Sequence, residues 1–347
     1  MVFAMSPTVV SVSPATRLLD ITMTGPTRFV TGALFVVFAA ALWGCWSIVF
    51  KNAEASSSVP LPASRETAVV FIVMFVTMSP LALASRRRAT LLASSSSSSS
   101  SAPLSQRTSR DWALLLVLGV TDAANALCFF QAMQLTTVAI AVLCHYMAPV
   151  IVATLSPSIL GEPRRASTFV ALALAVPGLA LLLQPWGESA HGDVVGALLA
   201  LASAAFYAAN VFIGKKLFSR FTTIEVATWP KLTSMPVLVI SAVVISGGMA
   251  VEWRPLVWLI VGGVVCGALP GILFNAGLRR LQAGQASVLA LMEPVVAVAV
   301  GVLWWHEHFG RVAALGATLV LVGAVVIARA GNRGDAQPPG DLKPAFS

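Results

Sequence analysis

Charged side chains are scarce in this sequence: Asp, Glu, Lys and Arg make up 10% of its 347 residues, where a soluble domain has about 25%. The length alone would suggest two or more water-soluble domains. Such domains need polar residues to cover their surfaces, so the composition excludes them. Only four cysteines occur, Cys45, Cys128, Cys144 and Cys266, each inside an apolar run and none in a CxxC spacing. They exclude a disulfide-stapled secreted scaffold and read as small buried hydrophobes. Catalytic signatures are missing too. No HExxH, GxSxG or GxGD pattern marks an intramembrane hydrolase, and no GxxxxGK[ST] loop marks an ATP-driven pump.

What is present is apolar. Hydrophobic residues reach 57% and the mean hydropathy is +0.86, which implies an integral membrane protein with the lipid bilayer as its solvent. Runs of about 20 apolar residues, enough to cross a bilayer, follow one another at 29–50, 66–85, 111–132, 136–158, 166–185, 193–214, 225–247, 254–278, 284–305 and 309–329. The sequence therefore predicts an all-α protein with ten transmembrane helices. Trp229, Pro230 and Lys231 interrupt the seventh. Residues 1–27 form no clean secretory signal, since Pro7 and Pro14 break a short apolar stretch. They read as a disordered or targeting extension, and Met23 offers a second sensible start. Ser94 to Ser101 is an unbroken serine run, expected to be a flexible linker. Residues 331–347 read as a disordered tail.

Twenty-two Lys and Arg against 14 Asp and Glu give a net charge of +8. Placing these residues on the ten spans, with the N-terminus inside, puts 17 of the 22 on one side and four on the other. The inner group includes Arg86, Arg107, Arg164, Lys215 and Arg279; the outer group is Lys51, Arg65, Arg254 and Arg311. Cytoplasmic loops are enriched in Lys and Arg, so both termini are expected in the cytoplasm. The same asymmetry explains the basic balance without a nucleic-acid partner. The plasma membrane is the expected location, with an organelle membrane as the alternative.

Two stretches repeat without gaps. Gly32 to Lys51 (GALFVVFAAALWGCWSIVFK) aligns with Gly196 to Lys215 (GALLALASAAFYAANVFIGK), an offset of 164. Pro149 to Glu162 (PVIVATLSPSILGE) aligns with Pro294 to Glu307 (PVVAVAVGVLWWHE), an offset of 145. The first five spans thus repeat as the last five. Five is odd, so the second copy enters the membrane from the opposite side. The reading is a 5+5 inverted repeat, residues 28–185 and 192–330, a plan that puts a substrate site near the midplane between the halves.

These residues carry a family resemblance. The ALWG stretch (Ala41 to Gly44), Arg65 opening span 2, the pairs Ala148–Pro149 and Glu293–Pro294, and Glu162 and Glu307 closing spans 4 and 9 resemble a ten-helix transporter of the drug/metabolite transporter superfamily, with two EamA-type units. The serine run and the N-terminal extension depart from the compact family pattern. The resemblance implies secondary transport of small metabolites, with substrates too varied to follow from the fold.

A charge at mid-helix costs roughly 2.5–3.5 kcal/mol on insertion scales, so intramembrane ionisable groups are functional candidates. Asp122, with Asn125 on the same face, His145 and Glu293 lie near the centres of their spans. Pro149 and Pro294 remove backbone donors beside His145 and Glu293. Trp43, Trp46 and Ser47 of span 1, and Ser203, Tyr207 and Asn210 of span 6, form trios at helical spacing. Each has a plainer reading: Asp122 as interhelical glue, Glu293 satisfied by freed backbone, the aromatics as packing. Arg65 is a gate or an interfacial anchor. Lys231 is expected to snorkel toward the cytoplasmic end. His306 and His308 do not make a metal site with Glu307, because residues two apart on a helix do not face each other.

The sequence thus points to a secondary active transporter that moves a cationic or zwitterionic metabolite, an amino acid for example, by alternating access. It needs no cofactor or metal. Protons are the candidate coupling ion, with His145 in the right titration range. An intramembrane enzyme, a channel and a receptor-like membrane protein are the competing readings. Oligomeric state is not legible.

Overall fold

A computed structural model describes residues 26–95, 107–186, 194–308 and 310–334. Among these residues there are helices and no strands. Ten helices are long and apolar enough to cross a membrane: α1 Thr27–Ser56, α2 Ala63–Arg87, α3 Ser109–Leu135, α4 Val138–Leu160, α5 Ala166–Leu183, α6 Val194–Leu217, α7 Thr223–Ser246, α8 Trp253–Arg280, α9 Ala283–Trp305 and α10 Arg311–Gly331. Each coincides with a predicted span, and the protein is a multi-pass integral membrane protein. Most of the N-terminal extension, the serine run from residue 96 and the tail from residue 335 lie outside the described residues.

Two boundaries differ from expectation. The helix containing α2 continues to Ser95, so Arg86, Arg87 and the first two serines of the run extend a helix instead of starting a loop. The apolar run stops there, but Arg, Ala and Leu are good helix formers in water. Likewise the last helix continues through Gly334, past the expected start of the tail.

Lipid is as apolar as a core side chain, so helices in a bilayer associate by close packing of small residues. Ala39, Ala40, Ala171, Ala175, Ala200 and Ala204 are wholly buried, while Val244 and Leu303 are among the most exposed side chains. The α5–α10 contact shows the rule. A Cβ on Gly316 would lie 2.4 Å from the Leu182 nitrogen, and one on Gly178 would lie 2.9 Å from the Gly316 oxygen.

Five spans are interrupted. α1 breaks at Cys45, between Pro26–Gly44 and Trp46–Ser56. α7 breaks at Trp229–Pro230, between Thr223–Thr228 and Lys231–Ser246. α8 carries a π-helical stretch, Gly263–Ala268. α4 breaks after His145 and resumes at Ala148; α9 breaks at Leu291 and resumes at Met292. In α4 and α9 a proline follows within two residues of the restart. Proline has no N–H to give and tolerates a first helical turn.

Charged groups fasten both faces. Where α3 begins, both terminal nitrogens of Arg107 donate to the fully buried Glu225 carboxylate, each at 2.9 Å. Glu225 also accepts from the Thr222 backbone and so caps α7. On the opposite face Arg65 donates to the carbonyls of Ser246, Gly248 and Ala250 at 2.9, 3.1 and 2.7 Å. Three main-chain bonds tie it to the end of α7 and the link that follows. Ser58, in the link between α1 and α2, donates its hydroxyl and its backbone N–H to Glu252 of the link after α7, which holds the Glu252 carboxyl below its ordinary range.

Candidate functional site

The breaks in α1, α4 and α9 bring polar and aromatic groups together. Gly44 ends the first half of α1, and a Cβ there would lie 2.8 Å from the Glu293 carbonyl and 2.7 Å from Val296. Its missing side chain lets α1 press against the restart of α9, next to Glu293. The turn after His145 places Tyr146 beside the Glu293 carboxyl. No fixed positive charge faces Glu293 among the described residues.

A chain of rings runs across five helices. Trp43 packs on Phe274 with centroids 5.3 Å apart. Phe274 lies 6.3 Å from Tyr207. Tyr207 meets His145 edge-on at 5.8 Å, and His145 lies 4.6 Å from Phe129. His145, Tyr146, Tyr207 and Glu293 are all partly exposed, not sealed.

A polar chain continues from the rings. The Ser203 hydroxyl lies 2.8 Å from His145 Nδ1 and donates to Asn125 Oδ1 at 2.7 Å. One turn back on α3, the Thr121 hydroxyl donates to Asn210 Oδ1 at 2.5 Å. Asn125 therefore bonds to Ser203, and Asn210 to Thr121. Both asparagines brace α3 against α6, and Asn125 shares its serine with the histidine.

Lys231 departs most from expectation. It does not snorkel out of the membrane. Its ammonium is buried, 2.6 Å from Asp122 Oδ2 and 4.5 Å from the centre of the Phe71 ring. The cause is local: a Cβ on Gly119 would lie 2.2 Å from the Pro230 oxygen, so α3 abuts the break in α7. Gly119 and Asp122 are three residues apart and share a face. That contact delivers the residue after Pro230 to Asp122. Asp122 is thus paired, and of the two central carboxylates only Glu293 lacks a cation among the described residues.

Sequence reasoning missed several contributors. Phe129, Phe274 and Phe71 carry no chemical signal apart from being aromatic, although Phe129 falls one turn beyond Asn125 on the same face. Glu66 was missed as well. It is buried near the start of α2 with Oε1 lacking a hydrogen-bond partner among the described residues, and an acid so near a helix end attracts little notice.

Comparison with known proteins gives a consistent picture. A family model described as the EamA-like transporter family matches residues 30–184 and again 194–329. An uncharacterized transporter of Archaeoglobus fulgidus is 30% identical over 212 residues, 61% of this chain and 75% of its own. The threonine/homoserine exporter RhtA of Escherichia coli K12 is 27% identical over 219 residues, 63% of this chain and 70% of its own. The pseudopaline exporter CntI of Pseudomonas aeruginosa is 27% identical over 223 residues, 62% of this chain and 75% of its own. A solved crystal structure, 19% identical, superposes on 87% of this chain and 99% of its own with a TM-score of 0.70, which shows a shared fold.

Proposed function

Because this chain belongs to the EamA-like transporter family, we propose that it is a secondary active transporter of a small ammonium-bearing metabolite, of the amino-acid kind, working by alternating access. Its frame is two five-helix units inverted with respect to each other, with both termini at the cytoplasmic face of a plasma membrane. Several features 145 residues apart support that frame. The break in α4 after His145 matches the break in α9 at Leu291. Gly161 and His306 end these helices in the same left-handed conformation, with φ of 69° and 56°. Gly178 and Gly323 match in the α5–α10 contact.

The observation that carries the substrate reading is the lone carboxyl of Glu293. With Asp122 paired to Lys231, Glu293 is the central acid still open to a cation. The linked rings of Trp43, Tyr207 and Phe274 suit an ammonium, which aromatic quadrupoles attract. Asn125, Ser203 and His145 offer hydrogen bonds for a carboxylate or hydroxyl on the same solute. Threonine and homoserine, the substrates in the name of the relative RhtA, carry all three groups.

Coupling follows from the cost of an unpaired charge. An empty, ionised Glu293 shut away from water carries a penalty on the order of several kcal/mol. Closure over the empty, charged site is therefore disfavoured, and closure over a proton or an ammonium is favoured. Protons and solute then compete for one carboxylate, which makes the cycle an exchange.

A thermal-shift screen of the purified protein against amino acids, polyamines and nucleosides, at pH 5.5 and 7.5, tests this reading. Ammonium-bearing solutes raise the melting temperature, and more at pH 7.5, where fewer protons compete. Stabilisation by nucleosides or by anionic solutes alone overturns it.

A further inference from the structure

Two of the ion pairs outside the central site form a matched set, one on each face. At the far end of α1, Lys51 Nζ is 2.9 Å from Glu307, just beyond α9, and 4.9 Å from the Trp305 ring centre. On the opposite face, near the end of α6, Lys215 Nζ is 3.1 Å from Glu162, just beyond α4. Lys51 and Lys215 match at the 164-residue offset, and Glu162 and Glu307 match at the 145-residue offset. Exchanging α1 with α6 and α4 with α9 turns one pair into the other. A pairing of distant residues that obeys both offsets is not expected of unrelated surface contacts.

The two pairs are not made to the same degree. The Lys215 and Glu162 side chains are 16% and 13% exposed, whereas those of Lys51 and Glu307 are 47% and 56% exposed. Glu162 also accepts from the Ala283 backbone N–H at 2.8 Å, at the start of α9. Lys215 also donates to the Leu281 carbonyl, at the end of α8. By the same offset, the corresponding groups on the other face are the Val138 N–H and the Thr136 carbonyl. Among the described residues neither is bonded to Glu307 or Lys51, and the Thr136 hydroxyl is buried there without a partner.

We propose that Lys215–Glu162 and Lys51–Glu307 are one latch used twice, fastened at the Lys215 face in this conformation and half-made at the Lys51 face. In the alternate conformation Glu307 takes the Val138 N–H and Lys51 takes the Thr136 carbonyl, while Glu162 releases Ala283 and Lys215 releases Leu281. The four residues act by holding helix ends, without touching the solute. The inference rests on the inverted frame proposed above.

Hydrogen–deuterium exchange of the full chain in nanodiscs, without solute, tests it. Glu162→Gln removes a charged acceptor, and amide exchange at 281–284 rises by about tenfold, the scale of one lost bond to a charged group. The latch predicts a second, distant effect: exchange at 136–139 falls as the other end fastens. Lys215→Met, which removes the other half of the same pair, gives the same reciprocal pattern if Glu162→Gln does not fold. Exchange at 136–139 that is unchanged or rises shows a local brace and overturns the proposal. The measurement involves no solute, so a failed substrate screen leaves its outcome intact.

Discussion

Glu293→Gln sharply weakens saturable solute binding while the protein remains folded and monodisperse. The amide keeps the shape of the side chain and its contact with Tyr146 but loses the negative charge. A hydrogen bond to a charged partner contributes about 1.5–3 kcal/mol, so affinity for an ammonium-bearing solute falls by about 10- to 100-fold. The variant also loses the pH dependence of binding, because no proton now competes at that position. Glu293→Asp keeps the charge on a shorter arm and retains part of the binding. Binding titrations of both variants at pH 5.5 and 7.5 check the expectation. Unchanged affinity in Glu293→Gln would move the site elsewhere in the bundle.

Asp122→Asn has its large effect on stability instead. It leaves the Lys231 ammonium buried and unpaired, and breaking a buried ion pair from one side costs about 3–5 kcal/mol. Lys231→Met in the same chain removes the orphaned charge, and the double variant recovers most of the loss. Solute affinity of the double variant then stays within about threefold of the parent, a change below 1 kcal/mol. Thermal unfolding and binding on the two single variants and the double variant separate the outcomes. A double variant that folds well but binds no solute would place Asp122 in the binding machinery after all.

The contrast between these two acids shows where sequence reasoning reached and where it stopped. Both were visible as charges at midplane depth, and the cost of a buried charge flagged both as candidates. The difference lies in Lys231, which is 109 residues from Asp122 and which looked free to snorkel. Its burial follows from the close approach of Gly119 to Pro230, a contact between helices that periodicity within one helix does not encode. The ten spans were legible because apolar length alone decides which segments can cross a bilayer. The proline pairs at 149 and 294 likewise announced the breaks that position Tyr146 and Glu293. The extension of α2 to Ser95 was not legible, since hydropathy ends a span where helix propensity continues. Phe274 and Phe129 stayed hidden because an aromatic inside an apolar run looks like any other packing residue. The matched lysines and glutamates were seen as repeats, but only the three-dimensional arrangement pairs each lysine with a glutamate from the other half.

These findings give the scarce charges of the sequence separate tasks. Arg65, Arg107 and Glu225 fasten helix ends, Asp122 and Lys231 brace the interior, and Glu293 is left with its charge unmatched. The last of these is the centre of the functional account.

Solute counterflow in proteoliposomes tests that account most directly. Vesicles are loaded with a high concentration of unlabelled threonine, homoserine or a diamine and diluted into a trace of the labelled solute. A carrier built on Glu293 gives transient, saturable accumulation of label for at least one of these solutes, and Glu293→Gln abolishes it. Flux that rises linearly with concentration, or accumulation that survives Glu293→Gln, would contradict the account.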